Sequence, residues 1–160
     1  TGAQFTGITT KRVGSKLSSI AKSISEGRVK TLIVFGEDVT KHGIDANLLK
    51  EVTLIVSDIL PNETTKAADY LLPGCAHAEK RGTFTNVKGR VQKFMKAFEP
   101  PGDALPEWEV LHEIAHNLTG LNGIKSIEGM FNHMAGKVKA FKDAELTWAG
   151  LGDLGVDVKL

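Results

Sequence analysis

The chain of 160 residues holds one cysteine, Cys75. A single thiol excludes an internal disulfide, and alone it excludes an autonomous iron–sulfur cluster or a Cys-type zinc site. No uninterrupted apolar run reaches the roughly 18 residues of a spanning helix, which argues against direct membrane insertion. An excess of one charge is missing too: 20 Lys and Arg stand against 19 Asp and Glu. A dedicated nucleic-acid binder would carry a basic excess or a concentrated stripe. What is present is ordinary for a soluble globular chain, 41% hydrophobic and 24% charged, at a length that suits one domain with a sizeable core. The start, Thr1-Gly2-Ala3-Gln4, has neither an initiator Met nor the pattern of a signal or transit peptide. A cut piece of a longer polypeptide is the expectation.

Val13, Leu17, Ile20, Ala21 and Ile24 recur at helical spacing, and Gly27 follows as a natural stop. Two short β-branched runs come next, Thr31-Leu32-Ile33-Val34-Phe35 and Val52-Thr53-Leu54-Ile55-Val56, with a short helix marked by Leu48 and Leu49 between them. Both runs are apolar throughout, as strands buried on both faces of a parallel sheet are. Asn62 stands at the N-cap of a helical stretch to Ala68, and Tyr70-Leu71-Leu72 runs into Pro73-Gly74. Three apolar runs separated by helical stretches predict an α/β fold with an open, mainly parallel sheet and flanking helices. Ligands of such sheets lie beyond the carboxyl ends of the strands. Here those ends are Gly36-Glu37-Asp38, Ser57-Asp58 and Pro73-Gly74, and the polar stretch Glu79 to Asn86 is expected at the same rim.

Further on, Arg81-Gly82-Thr83-Phe84-Thr85-Asn86 reads as a turn and an extended segment, and Val91, Phe94, Met95 and Phe98 follow with no clean period. Pro106 opens a helix whose apolar face is Trp108, Leu111, Ile114, Ala115 and Leu118. Ile124 to Phe141 predicts another helix, weakened by Gly129 and Gly136, and the tail from Leu146 is glycine-punctuated.

His112-Glu113-Ile114-Ala115-His116 matches H-E-x-x-H, in which two imidazoles one turn apart hold zinc and the glutamate activates water. A third ligand is required. Thr119 and Asn122 stand where the extended motif needs Gly and His, and Glu128 and Glu145 have no recognisable context. Both histidines fall at the edge of the apolar face, so the reading as ordinary helix residues is preferred. Cys75 with His77 nearby reads better as a buried thiol than as a nucleophile pair. Lys80, Arg81, Lys88 and Arg90, with Gly82 and Gly89 allowing close backbone approach, fit either anion contacts or a solvated turn. Neither a G-x-G-x-x-G nor a P-loop is found.

Ser57-Asp58-Ile59, Glu63-Thr64 and Ala67-Ala68-Asp69-Tyr70-Leu71-Leu72-Pro73-Gly74 resemble a hallmark segment of molybdopterin oxidoreductases. So do Ala78 to Asn86, Gly89-Arg90-Val91-Gln92, Pro100-Pro101-Gly102, Pro106-Glu107-Trp108-Glu109 and Glu113-Ile114-Ala115. The resemblance covers about Val29 to Leu118. It implies one α/β domain over residues 1–160, a fragment with its family-like core at 29–118 and a helical extension at 119–160.

Two classes share these motifs. Gly89 before Arg90 is more similar to the large iron–sulfur subunit of respiratory complex I, the NADH-quinone oxidoreductase G chain, although Lys88 departs from the acidic residue common to both classes. That reading implies a noncatalytic structural domain supporting electron transfer from NADH to quinone, with no cofactor in this fragment and clusters only in an N-terminal region. Its partners would be other subunits of a respiratory complex. Its place would be cytoplasmic and peripheral to the inner membrane, or on the matrix side in a eukaryote. The alternative resemblance, to formate dehydrogenase-type enzymes, implies part of a molybdopterin guanine dinucleotide site. It would place Asp58, Glu79, Lys80, Gly82, Thr83 and Asn86 near the cofactor, with Arg90 and Gln92 in support. An H-E-x-x-H zinc hydrolase stands third.

Overall fold

The computed structural model describes residues 17–158, so Val13 and the first four residues lie outside the described part. The described residues fall into two compact units, one of residues 17–76 with 100–107, the other of residues 77–99 with 108–158. Each has its own three-stranded sheet.

In the first unit, helix α1 (Leu17–Ser25) stops at Gly27, whose φ of 67° lets its amide reach the Ile24 carbonyl. Strands β1 (Thr31–Phe35), β2 (Thr53–Asp58) and β3 (Tyr70–Pro73) follow in parallel register, Ile33 opposite Ile55 and Ile55 opposite Tyr70. Two short helices cross between them, α2 (Ala46–Leu49), capped by Asp45, and α3 (Glu63–Lys66). Asn62 and Thr65 form a reciprocal capping box on α3. Ile24, Val34, Leu49, Leu54 and Val56 are buried in one cluster with Val39, Ile44 and Val52. Only one face of the sheet is covered in this way: Ile33 is 40% and Tyr70 61% exposed. The expectation of strands buried on both faces therefore holds for one face among the described residues.

The second unit departs from the expected single sheet. Strands β4 (Gly82–Thr85), β5 (Arg90–Phe94) and β6 (Val156–Asp157) run antiparallel in the order β4-β5-β6. The fold is thus α/β with a parallel and an antiparallel sheet, each flanked by helices. The glycine-rich tail becomes strand β6 because Gly155, at φ 77°, turns the chain against Val91. A side chain at position 155 would strike the Val91 carbonyl oxygen and the Gln92 Cγ. The single helix expected from Ile124 to Phe141 is two, α5 (Ile127–Ala135) and α6 (Lys139–Asp143), since the first ends at Gly136. Phe131 packs edge-on to Trp148, with ring centroids 5.9 Å apart, and joins Val91, Phe141, Leu146 and Leu151 in this unit's core.

Helix α4 (Glu107–Thr119) begins directly after Pro106 as expected, but its buried side is not the expected one. Leu111 and Leu118 are 48% and 80% exposed, whereas Trp108, His112, Ile114 and His116 are half-buried.

Candidate functional site

The carboxyl ends of β1 and β2 are tied together by the Gly36 amide, which donates to the Ser57 carbonyl at 2.8 Å. The Gly74 amide, just past β3, donates to the Asp58 carbonyl at 3.0 Å. Gly74 has to be small here. A Cβ on it would lie 3.2 Å from Ser57 Oγ and 3.3 Å from the Asp58 carbonyl carbon. Asp58 sits on this rim half-buried, its Oδ1 accepting from the Ile59 amide at 2.7 Å and its Oδ2 from Asn62 Nδ2 at 2.8 Å. An ionised carboxylate accepts about four hydrogen bonds, so each oxygen keeps a lone pair for a ligand donor. Ser57, 3% exposed, has a buried hydroxyl with no hydrogen-bond partner among the described residues.

Asp38, on the loop after β1, carries a denser network that the residue pattern did not single out. Its Oδ1 accepts from Thr40 Oγ1 at 2.7 Å and from Thr64 Oγ1 at 2.9 Å, and Lys41 Nζ lies 3.4 Å from Oδ2. The Thr40 hydroxyl above all, then Thr64 and Lys41, hold the Asp38 carboxyl down at about 2 against the opposing effect of desolvation. Thr64, fully buried, also accepts from the Val39 amide at 2.9 Å. These contacts fasten the β1 loop to α3, so Asp38 is a structural carboxylate at the rim. A sequence signal existed in Asn62-x-x-Thr65, which fixes α3 and hence Thr64, but the partner 26 residues away is a tertiary fact.

The remaining expected site residues belong to the second unit. Glu79 and Lys80 are half-buried in and beside the short 3-10 turn His77–Glu79. Antiparallel register sorts the others by face: Gly82, opposite Phe94, and Gln92, opposite Phe84, lie on one side, and Thr83 points to the other. Asn86 caps the hairpin, its Oδ1 accepting from the Lys88 and Arg90 amides at 2.9 and 3.0 Å. Its carbonyl accepts from the Gly89 amide at 3.0 Å, closing a turn that needs Gly89 at φ 89°. Arg90 is engaged in a two-point ion pair with Asp157, at 2.7 and 2.9 Å. The pair holds the Asp157 carboxyl below its ordinary range and raises the Arg90 guanidinium, through the hydrogen bonds first and charge second. Arg81 is likewise committed, to Glu128 at the start of α5, and its guanidinium stands 6.0 Å from the Trp148 ring centre. Two of the four cations expected as anion contacts are thus held by carboxylates. Asp58 belongs to one unit and the hairpin residues to the other.

The imidazoles of His112 and His116 stack with centroids 6.5 Å apart. His116 Nδ1 is 2.9 Å from the Leu121 carbonyl oxygen, and Glu113 Oε1 accepts from Asn117 Nδ2 at 3.0 Å. Among the described residues no group of three or more His, Cys, Asp or Glu side chains is placed to share a metal ion. Cys75 is buried, at 2% exposed, as expected.

The sequence matches the molybdopterin oxidoreductase family over residues 2–117. The chain belongs to that family. It is 35% identical over 133 residues to the NADPH-Fe(3+) oxidoreductase subunit alpha of Geobacter sulfurreducens, a match spanning 80% of this chain and 16% of that one. It is 35% identical over 135 residues to the F420-dependent formate dehydrogenase 2 subunit alpha of Methanococcus maripaludis, across 79% of this chain and 20% of the other. The chain therefore spans about a fifth or less of these relatives. In fold it resembles acetylene hydratase from Pelobacter acetylenicus, with a TM-score of 0.71 at 16% identity over 91% of this chain and 21% of that structure.

These matches correct two expectations. The relatives are named as oxidoreductase and formate dehydrogenase subunits, so the reading as a noncatalytic complex I scaffold falls, and with it the expectation that the chain stands outside catalysis. The physical reason is visible at the residue that carried that reading. Gly89 is demanded by the left-handed end of the hairpin turn, and Lys88 is an exposed turn position, so neither distinguishes the two classes. Among the described residues no helix is long and apolar enough to cross a membrane.

Proposed function

We propose that this chain is part of the molybdopterin guanine dinucleotide-binding portion of a formate dehydrogenase-type oxidoreductase. The family-like core at 29–118, with its extension at 119–160, would be one segment of a longer polypeptide that works with partner subunits, as the names of the alpha subunits it resembles suggest. The observation that carries the reading is the carboxyl rim of the parallel sheet. There Asp58 keeps acceptor capacity on both oxygens, beside a buried Ser57 hydroxyl that has no partner among the described residues and beside Gly74, where a Cβ would press on Ser57 and Asp58. A carboxylate with spare lone pairs fits the adjacent N–H donors of a guanine, and strand ends of α/β sheets are where nucleotides dock.

The residues therefore fit the group. Asp58 would hold the base, with Gly36 and Gly74 permitting close backbone approach. Lys80, Gly82, Thr83, Asn86 and Gln92 are proposed contacts from the hairpin unit together with Glu79. Arg90 would act in support through its fixed pairing with Asp157. When bound, the molybdenum-bearing pterin supplies the redox chemistry, while the side chains here bind and orient it. In equilibrium titrations of the 160-residue chain with GMP, Asp58→Asn is expected to weaken binding about tenfold, the order of one lost charge-assisted bond. Equal affinity in the two proteins would sink the reading.

A further inference from the structure

The loop between α4 and α5, inside the second unit, sets one asparagine apart from the rest. Asn62 bonds Asp58 and the Thr65 amide, and Asn86 caps the hairpin. Asn117 donates to the Glu113 carbonyl at 2.8 Å within α4, and Asn132 accepts from the Trp148 amide at 2.8 Å. Asn47 lies in helix α2, ahead of Leu48. Asn122 is exposed, and among the described residues neither its side chain nor the Gly123 amide has a hydrogen-bond partner. Gly123 stands at φ 90°, with open space where a Cβ would be. The chain on either side is pinned. Gly120 closes α4 by donating to the His116 carbonyl at 2.9 Å, and the Leu121 carbonyl oxygen is 2.9 Å from His116 Nδ1. Beyond the pair, Ile124 is buried and Ser126 caps α5.

Asparagine is a thermolabile residue, and its lability depends on the nitrogen that follows it. A main-chain nitrogen that gives up its proton attacks the Asn Cγ most readily when it is not hydrogen-bonded and no side chain crowds the approach. Gly123 meets both conditions. We propose that Asn122-Gly123 is a site of spontaneous covalent modification in the folded chain, at which Asn122 becomes aspartate and isoaspartate ahead of every other asparagine. The bond from the Gly123 nitrogen to the Asn122 Cγ forms as the Cγ–Nδ2 bond breaks, and the amide leaves as ammonia. Water then opens the succinimide ring. Attack on Cγ restores the main chain with an aspartate; attack on the main-chain carbonyl carbon leaves an isoaspartate, whose chain path is one carbon longer. Water is the only co-reactant, and nothing is oxidised or reduced. Either product is ionised at neutral pH, which cancels the chain's formal charge of +1. The isoaspartate also lengthens the path between the Leu121 clasp and the buried Ile124, so the contact of His116 with Leu121 is where the strain falls. The chemistry is independent of the cofactor reading above.

The test is to age the folded 160-residue chain in mildly alkaline buffer at physiological temperature and to follow conversion by peptide mass mapping and isoaspartyl methyltransferase labelling. Asn117 and Asn122 share the tryptic peptide of residues 97–125, so fragmentation compares them directly. Asn122 is expected to convert at least about tenfold faster than Asn117, a barrier difference of about 1.4 kcal/mol. Gly123→Ala, which crowds the attacking nitrogen, should slow the conversion about tenfold or more, and Asn122→Gln should remove it, both with unchanged circular dichroism. In the parent, the rate in the folded chain should lie within about tenfold of that in the same chain unfolded in urea. Greater protection by the fold overturns the proposal, as does conversion of Asn122 no faster than that of Asn117. The aged chain gains a negative charge and separates by ion exchange. In its isoaspartate fraction the Gly120 amide should exchange hydrogen faster than in the parent, because the turn that closes α4 is loosened. Unchanged exchange there would overturn the strain assigned to the His116 contact.

Discussion

The two sheets have three strands each but are held by different means, and their candidate ligand groups stand in different places. The parallel sheet rests on a continuous apolar cluster, with Leu54 and Val56 fully buried on the middle strand, and its polar groups gather at the strand ends. The antiparallel sheet has one fully buried strand residue, Val91, and draws its core from the helices and Trp148 beyond it. Its polar groups lie across a sheet face. Among the described residues the parallel sheet covers one face with its helices and gathers its polar groups at the strand ends, whereas the antiparallel hairpin carries polar groups on a solvated face.

The comparison is most easily broken at Gly155. The antiparallel sheet depends on a backbone contact there that tolerates no side chain, whereas no comparable glycine sits inside the parallel ladder. Gly155→Ala combines a strained left-handed backbone with a clash against Val91, and the two effects together predict a loss of about 3 kcal/mol. Urea unfolding followed by circular dichroism measures it. A change within 0.5 kcal/mol would mean that β6 is dispensable to the second unit.

A smaller effect is expected in the first unit, where a polar network rather than a glycine fixes the loop over the sheet. Thr64→Val removes the hydroxyl that serves both Asp38 and the Val39 amide, leaving a buried N–H unpaired, at a cost of about 2 kcal/mol. The same network gives an acid signature. The Asp38 carboxyl is held at about 2, below its ordinary 3.8, so the folded state keeps it charged longer than the unfolded chain does. Its contribution is present in full above pH 3.8, declines as pH falls towards 2 and is gone below. Stability measured across that window should fall less steeply in Asp38→Asn than in the parent.

Legibility from sequence followed the same division. The parallel strands could be read because Leu32 to Val34 and their register partners Leu54 to Val56 are apolar at every position, and Asn62 and Gly27 mark helix ends by local chemistry. The rim followed from those strands, and Asp58 with it. The antiparallel sheet could not be read. Val91 is buried while Gln92 beside it is exposed, but the alternation is lost in Lys93 and Phe94, and β6 is two residues long. Nor could spacing show that Arg90 meets Asp157, 67 residues on, or that Arg81 meets Glu128. In α4 the apolar period pointed to Leu111 and Leu118, yet both are exposed. The period marks the side that is apolar, and only packing decides which side is covered.

The mildest change sharpens the comparison further. Arg90→Ala removes the two-point pair with Asp157 that bridges β5 and β6, and both side chains are well exposed, at 42% and 64%. Water and salt screen such a pair, and exposed ion pairs contribute little measurable stability. The unfolding midpoint should therefore stay within error of the parent, even though Gly155→Ala, two residues from Asp157, lowers it strongly. If GMP binding also weakens in Arg90→Ala while the midpoint holds, the pair serves to orient the hairpin face for a ligand. A midpoint that drops as far as in Gly155→Ala would instead make the pair a structural clasp and remove Arg90 from the supporting contacts.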